Sequence, residues 1–160
     1  MRVGLIADTH DRLPTFAAAL QRFRELSLTH ILHAGDLVAP FAARLLAAYA
    51  GRTFVTYGNN DGERVGLGQV LPQIQDGPLR VELAGRRILL HHFREWCKPE
   101  DVDWAEVVVT GHTHVAGITH EHGRLFVNPG ECCGWVHGRC TAAVLDLNTL
   151  NCELFEVNES

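Results

Sequence analysis

The sequence predicts an α/β fold in which two mixed β-sheets pack face to face as a sandwich, with helices on the outside. Three observations carry this expectation. The first third of the chain alternates short apolar runs with amphipathic stretches opened by proline, a β-α-β-α-β rhythm that calls for parallel strands with right-handed crossovers. The second half changes to closely spaced short strands separated by turns, as in an antiparallel or mixed sheet. The polar side chains best suited to chemistry fall directly after apolar strands, where ligands collect in open α/β sheets.

Residues 2–7, RVGLIA, read as a buried strand. Pro14 then opens a helix in which Phe16, Leu20, Phe23 and Leu26 keep helical spacing. A second strand follows at 30–34, and Pro40 opens a second helix with Phe41, Leu45 and Tyr49 on one face. The third strand is 53–57, TFVTY. Residues 79–84 and 87–92 read as a hairpin turning at Gly85-Arg86. A polar stretch with Trp96, Pro99 and Trp104 reads as a short helix. Strands at 106–110, 115–119, 124–128, 140–147 and 152–157 complete the chain, with a turn at His120–Gly123. Segments 62–78, 93–104 and 131–139 read as walls of whatever site the strands present. There is no repeat or linker, so residues 1–160 read as one domain.

Composition narrows the function. With 46% hydrophobic and 21% charged residues, the 160-residue chain has the mix of a globular protein with a sizeable core. No apolar run is long enough to span a membrane, and the apolar run at the start is too short for a signal peptide, so a cytoplasmic location is expected. The five cysteines are odd in number and include an adjacent pair, Cys132-Cys133. They read as reduced, packed thiols rather than nucleophiles, and without a CxxC pair a cysteine-based zinc site has no support. The net charge is −5 and Lys98 is the single lysine, which argues against long nucleic acid as a partner. An anionic substrate would need another source of positive charge, and metal ions are one.

The candidate site residues follow the strands. Asp8 and His10 stand in LIADTH, Asp36 in LHAGD, Asn59 and Asp61 in YGNND, His91 and His92 in ILLHH, and His112 and His114 in GHTH. Asp8 and Asp36, the Asn59 amide oxygen and at least four imidazoles make enough ligands for two divalent ions. A mixed nitrogen and oxygen set suits Mn, Fe, Ni, Co or Zn better than Ca or Mg. Two such ions about 3.5–4 Å apart need a bridging carboxylate and can share a hydroxide, and Asp36 suits the bridge. Such a pair lowers the pKa of water and offsets phosphate charge, which is what phosphoester hydrolysis requires.

In order along the chain, D-x-H at Asp8–His10, G-D at Gly35–Asp36, G-N-x-D at Gly58–Asp61, a histidine at 91 or 92, G-H-x-H at Gly111–His114 and the late NPGECCGWVHG segment resemble the calcineurin-like metallophosphoesterases, in particular the small prokaryotic phosphodiesterases of the YfcE type. The resemblance spans essentially the whole chain. It implies that Asp8, His10, Asp36 and His114 hold a first metal, and that Asp36, Asn59, His112 and the hairpin histidine hold a second. Ungapped alignment favours His92 over His91 for that last ligand. It further implies that Asp61 orients His10, so that Asp36, Asn59, Asp61 and His10 form the catalytic set. The implied activity is a dinuclear, manganese-favouring phosphodiesterase acting on a small phosphoester, often as a dimer or tetramer.

Two departures stand out. Phe93 replaces a glycine that usually follows the hairpin histidine. Asn60 stands where larger relatives carry a histidine that protonates the leaving oxygen, and an amide has no titratable proton to give. The alternatives are a phosphomonoesterase or nucleotide hydrolase on the same site, or a catalytically weak scaffold like the retromer subunit that resembles this fold. Singly, each motif also reads as an ordinary turn, since Asp, Asn and Gly tolerate left-handed backbone. His30, His120 and His122 read as surface residues, and His33 as structural.

Overall fold

The apolar runs fold as strands because most of them are covered on both faces. A computed structural model describes residues 1–49 and 51–159. Along the chain the elements are β1 (Arg2–Ile6), α1 (Leu13–Glu25), β2 (His30–His33), α2 (Pro40–Ala47), β3 (Arg52–Val55), α3 (Arg64–Val70), β4 (Leu79–Leu83), β5 (Arg86–Leu90), α4 (Pro99–Trp104), β6 (Val107–Val109), β7 (Gly117–Glu121), β8 (Arg124–Asn128), β9 (Thr141–Asp146) and β10 (Asn151–Glu156). One five-stranded sheet has the order β10-β9-β1-β2-β3 and the other β4-β5-β6-β8-β7. In the first, β1, β2 and β3 are parallel and β9 and β10 antiparallel. In the second, β5, β6 and β8 are parallel, with antiparallel β4 and β7 at the edges.

The sheets meet through one side-chain set. Val3 and Leu5 of β1, Leu32 of β2 and Leu145 of β9 pack against Ile88 and Leu90 of β5, Val107 and Val109 of β6 and Val127 of β8. The alternate residues face outward into helices. Ile6, Ile31 and Val55 pack under Phe16, Leu20 and Phe23 of α1 and Leu46 of α2. On the far side Leu89 and Val108 meet Val102, Trp104 and Ala105 around α4. The layers are therefore helix, sheet, sheet, helix. Each fully buried Leu, Val, Ile or Phe contributes about 1.5–3 kcal/mol, so the two-faced strands supply much of the driving force.

Four local expectations are corrected. Phe41 lies exposed on α2, whose buried face is Ala42, Ala43 and Leu46, because the helix turns its small residues toward the sheet. Residues 64–70 form α3, which buries Leu67 despite two glycines, with the Glu63 side chain accepting the Gly66 N–H at 3.2 Å. The hairpin turns at Ala84-Gly85 instead of Gly85-Arg86. Leu83 pairs with Arg86, and both loop residues have positive φ, 50° and 75°, as a two-residue primed turn demands. β7 starts at Gly117 rather than 115, and it includes His120. Asn128 donates to the Gly111 carbonyl at 2.9 Å and to Thr113 Oγ1 at 3.0 Å, holding that loop clear of the sheet before pairing begins.

Candidate metal centre

The loops after β1, β2, β3, β5 and β6 gather at one rim of the sandwich and are tied together through the backbone. Asp8 N–H donates to the Gly35 carbonyl at 3.1 Å, and Gly111 N–H to that of His92 at 3.0 Å. Five of the candidate ligands hold left-handed backbone: Asp8, His10, Asp36, His112 and His114, with φ of 50°, 40°, 60°, 69° and 62°. Such conformations cost a non-glycine residue about 1 kcal/mol or more, and they persist where the surroundings impose them, commonly at functional sites. Two glycines show how tightly the loops meet. A Cβ on Gly35 would lie 2.7 Å from His92 Nδ1, and one on Gly58 would collide with Asp36 Oδ1.

The side chains form two groups that share Asp36. In the first, one ligand atom from each of Asp8, His10, Asp36 and His114 lies within 4.8 Å of the others. His10 Nε2 is 3.4 Å from Asp36 Oδ2 and 3.9 Å from Asp8 Oδ1, and His114 Nε2 is 3.6 Å from Asp8 Oδ1. In the second, Asn59 Oδ1 lies 3.0 Å from His92 Nε2 and 2.9 Å from His112 Nδ1, and His92 Nε2 is 3.5 Å from Asp36 Oδ2. Asp36 Oδ2 thus stands between His10 and His92.

The chemistry of these donors fits cations. Asp8 is fully buried, and among the described residues its Oδ1 has no hydrogen-bond partner; neither does His10 Nε2. Burying an unpaired charged oxygen is costly unless a cation or proton joins it. Accordingly burial raises the Asp8 pKa to about 7, against the pull of His92 and His114. The imidazoles are set as ligands by what they hold on their other nitrogen. His92 Nδ1 donates to the Ala34 carbonyl at 2.7 Å, and His114 Nδ1 to Glu131 Oε2 at 2.8 Å, leaving each Nε2 to face the centre. His92 Nε2 meets two oxygen acceptors, so in the metal-free chain a proton there is favoured. Burial lowers the His92 pKa, but Asp36 outweighs it and the net shift is upward. Burial likewise works to raise the Asp36 pKa, while His92 and Asn60 outweigh it and hold the carboxyl well below the usual carboxylate range.

Each sequence-derived candidate has a definite place. Asp8, His10, Asp36, Asn59, His92, His112 and His114 converge. His91 does not, since its Nδ1 accepts the Phe93 N–H at 2.9 Å and its ring packs toward Trp96. Asp61 makes no hydrogen bond to His10, which corrects the expectation that it orients that ring. Its carboxylate instead accepts backbone N–H groups of Asp36 at 2.9 Å, Gly58 at 2.7 Å and Val38 at 2.7 Å, locking the second and third loops together. His33 is buried and neutral. Burial pushes its pKa down to about 3; its Nδ1 accepts the Gly35 N–H at 3.2 Å and its Nε2 meets Thr9 Oγ1 at 3.2 Å.

Two roles were not read from the sequence. Asn60 donates through its backbone N–H to Asp36 Oδ1 and through its side-chain amide to Asp36 Oδ2, both at 2.8 Å, and so aims the shared carboxylate. Glu131 is buried and accepts, besides His114, the N–H groups of Val136 at 2.9 Å and His137 at 2.5 Å. Burial opposes its charge, but these donors prevail and its pKa falls below the ordinary value. The glutamate of NPGE was the available signal. Aromatic rings wall the centre. Phe93 lies 4.5 Å from the His112 ring and stacks on Trp96 at 4.1 Å, while Trp135, 63% exposed, stands 6.2 Å from the His10 ring.

Comparisons with known proteins place the family and the fold. The sequence profile of the calcineurin-like phosphoesterase superfamily domain matches residues 1–150. Phosphodiesterase MJ0936 of Methanocaldococcus jannaschii is 32% identical over 91% of this chain and 93% of that protein. The solved structure of a novel archaeal phosphodiesterase superposes with a TM-score of 0.85 at 28% identity, over 98% of this chain and 99% of that one. YfcE, a phosphoesterase from E. coli, shares the fold with a TM-score of 0.76 at 20% identity, over 99% of this chain and 100% of that one.

Proposed function

Because the chain belongs to the calcineurin-like phosphoesterase superfamily, we propose that it is a phosphodiesterase working at a two-metal centre built from Asp8, His10, Asp36, Asn59, His92, His112 and His114. One observation carries the reading: Asp36 Oδ2 lies 3.4 Å from His10 Nε2 and 3.5 Å from His92 Nε2, a single carboxylate oxygen shared by two converging donor groups. Asp8 and His114 complete the first group, and Asn59 and His112 the second. Two divalent ions held there supply a lowered water pKa, grip on the phosphate oxygens and compensation of transition-state charge.

The chain's own residues prepare that chemistry. Asn60 and the buried loops around Gly35 and Gly58 fix the Asp36 carboxylate before substrate arrives, so little reorganisation is left for the reaction. Ala34 and Glu131 hold His92 and His114 in the tautomer that turns Nε2 inward. Asn60 holds Asp36 through its backbone N–H and its side-chain amide, and an amide has no titratable proton, so it offers no acid to a leaving alkoxide. A diester whose leaving group is itself a good one suits this site. A cavity of about 490 Å³ opens beside His114, with Val115, Leu154 and Phe155 on its apolar side and His137 and Arg139 on its polar side. Its size fits one organic arm of a small phosphodiester.

Manganese is the proposed activating ion, from the mixed nitrogen and oxygen donors, with Fe, Ni, Co or Zn able to take the same places. The five unpaired thiols suit a cytoplasmic location. Exposed Val115, Trp135 and Val136 favour a homo-oligomer, dimer or tetramer. The test is turnover of bis(p-nitrophenyl) phosphate against p-nitrophenyl phosphate with Mn supplied. The diester should be the better substrate. A preference for the monoester would make the protein a phosphomonoesterase, and turnover of neither would contradict the enzyme reading.

A further inference from the structure

The fold brings a sulfur donor to the metal centre. Cys133 is fully buried, and one ligand atom from each of His10, His114 and Cys133 lies within 4.8 Å of the other two. The backbone holds the thiol there. Cys132 N–H donates to the Ala7 carbonyl and Cys133 N–H to the Asp8 carbonyl, both at 3.1 Å, so this segment runs alongside the loop that carries Asp8 and His10. Cys133 Sγ donates to Glu131 Oε2 at 3.4 Å, the same oxygen that holds His114 Nδ1 at 2.8 Å. Two buried atoms in this corner, Asp8 Oδ1 and His10 Nε2, have no partner among the described residues.

The other four thiols have different surroundings. Cys132 packs in the helix-side core, Cys140 lies against Arg12, Cys97 donates to the Phe93 carbonyl, and Cys152 sits on the outer strand β10. Among the described residues, Cys133 is the one cysteine grouped with other metal-binding side chains.

We propose that Cys133 is a thiolate ligand to the ion held by His10 and His114, and that it biases this position toward Zn, Co or Fe(II) over Mn and Mg. The proposal rests on the metal-centre reading above; Cys133 groups with His10 and His114, the two histidines that also group with Asp8 and Asp36, and so offers the ion at those histidines a sulfur donor on their far side from the shared carboxylate. On binding, the S–H bond breaks, a sulfur–metal bond forms and the proton leaves to solvent; nothing is oxidised or reduced. Thiolate favours the softer ions of the divalent series, while Mn and Mg prefer oxygen. The first position thus differs from the second, where Asn59 supplies an amide oxygen and, among the described residues, no cysteine is grouped with the donors.

Cobalt titration of the chelated protein tests this without reference to activity. Visible d–d bands report cobalt in the site, and a near-ultraviolet thiolate-to-cobalt charge-transfer band reports sulfur. Wild type and Cys97→Ser should show both. Cys133→Ser should keep the visible bands and lose the near-ultraviolet one, and its preference for Zn over Mn in competition dialysis should fall about tenfold or more. Visible bands without the charge-transfer band in wild type would overturn the proposal and leave the metal centre standing. That measurement needs no variant, so a poorly folding Cys133→Ser does not shelter the idea, and Cys133→Ala provides a second substitution. A charge-transfer band that survives Cys133→Ser and Cys133→Ala would overturn it equally. Failure to take up cobalt at all would overturn the metal-centre reading itself.

Discussion

In metal-free protein, Asp8→Asn should stabilise the fold above neutral pH while removing most of the stabilisation that metal gives. Asp8 is buried, its Oδ1 has no partner among the described residues, and burial raises its pKa from 3.8 to about 7. A carboxyl with a raised folded pKa contributes stability fully below its unfolded pKa and loses it as pH rises through the folded value. The window is therefore from about pH 4 to about pH 7. Raising the carboxyl from 3.8 to about 7 sets a ceiling of about 4 kcal/mol on the penalty. Relaxation of the surroundings relieves part of such a burial penalty, leaving about 2 kcal/mol. For a chain of this length that is roughly 4–8 °C in Tm. Asparagine is nearly isosteric, and its amide oxygen can still accept the His112 N–H that Asp8 Oδ2 accepts at 3.1 Å. The assay is thermal unfolding by circular dichroism in chelator at pH 4 and pH 8, repeated with Zn or Mn. The variant should match wild type at pH 4, exceed it at pH 8, and gain much less from metal. A variant less stable than wild type at pH 8 in chelator, or offset equally at both pH values, would refute the reasoning.

Three further outcomes follow from the same geometry. Glu131→Gln can keep an acceptor near His114 but loses the charge, so metal affinity measured by chelator competition should fall about 10–100-fold; an unchanged affinity would remove Glu131 from the site. His92→Ala should abolish diester hydrolysis and weaken the second metal, whereas His91→Ala should leave both near wild type, as steady-state kinetics and metal analysis will show. With an amide at Asn60 and so no titratable proton there, kcat should climb steeply as the leaving-group pKa drops across a series of aryl and alkyl diesters; a flat dependence would mean that another group supplies the proton.

The strands and the donor residues were legible because their signals are local. Two-faced burial makes continuous apolar runs such as LIA and VVV, and a polar residue straight after such a run lies at the strand end whatever else the chain does. The positions of Asp8, Asp36, Asn59 and His112 follow from that alone. The supporting contacts have no local signature. Asn60 meets Asp36 across 24 residues, Asp61 meets Asp36 across 25, and Glu131 meets His114 across 17. Only folding shows that Asn60 aims a carboxylate, or that Asp61 braces backbone where a bond to His10 was expected. The α3 helix was hidden by Gly66 and Gly68, which weaken helix propensity, and burial of Leu67 together with the Glu63 cap overrides that weakness. Alignment alone favours His92 over His91, but the bond that sets the His92 ring reaches the Ala34 carbonyl, 58 residues away.

The most direct test of the central claim, a two-metal phosphodiesterase organised on Asp36, is metal content per chain measured together with hydrolysis of bis(p-nitrophenyl) phosphate, for wild type and Asp36→Asn. Wild type reconstituted with Mn should hold about two ions and hydrolyse the diester, and Asp36→Asn should lose both the stoichiometry and the turnover. A wild-type chain that binds no metal and hydrolyses nothing with Mn supplied, or an Asp36→Asn variant that keeps two ions and full activity, would contradict it.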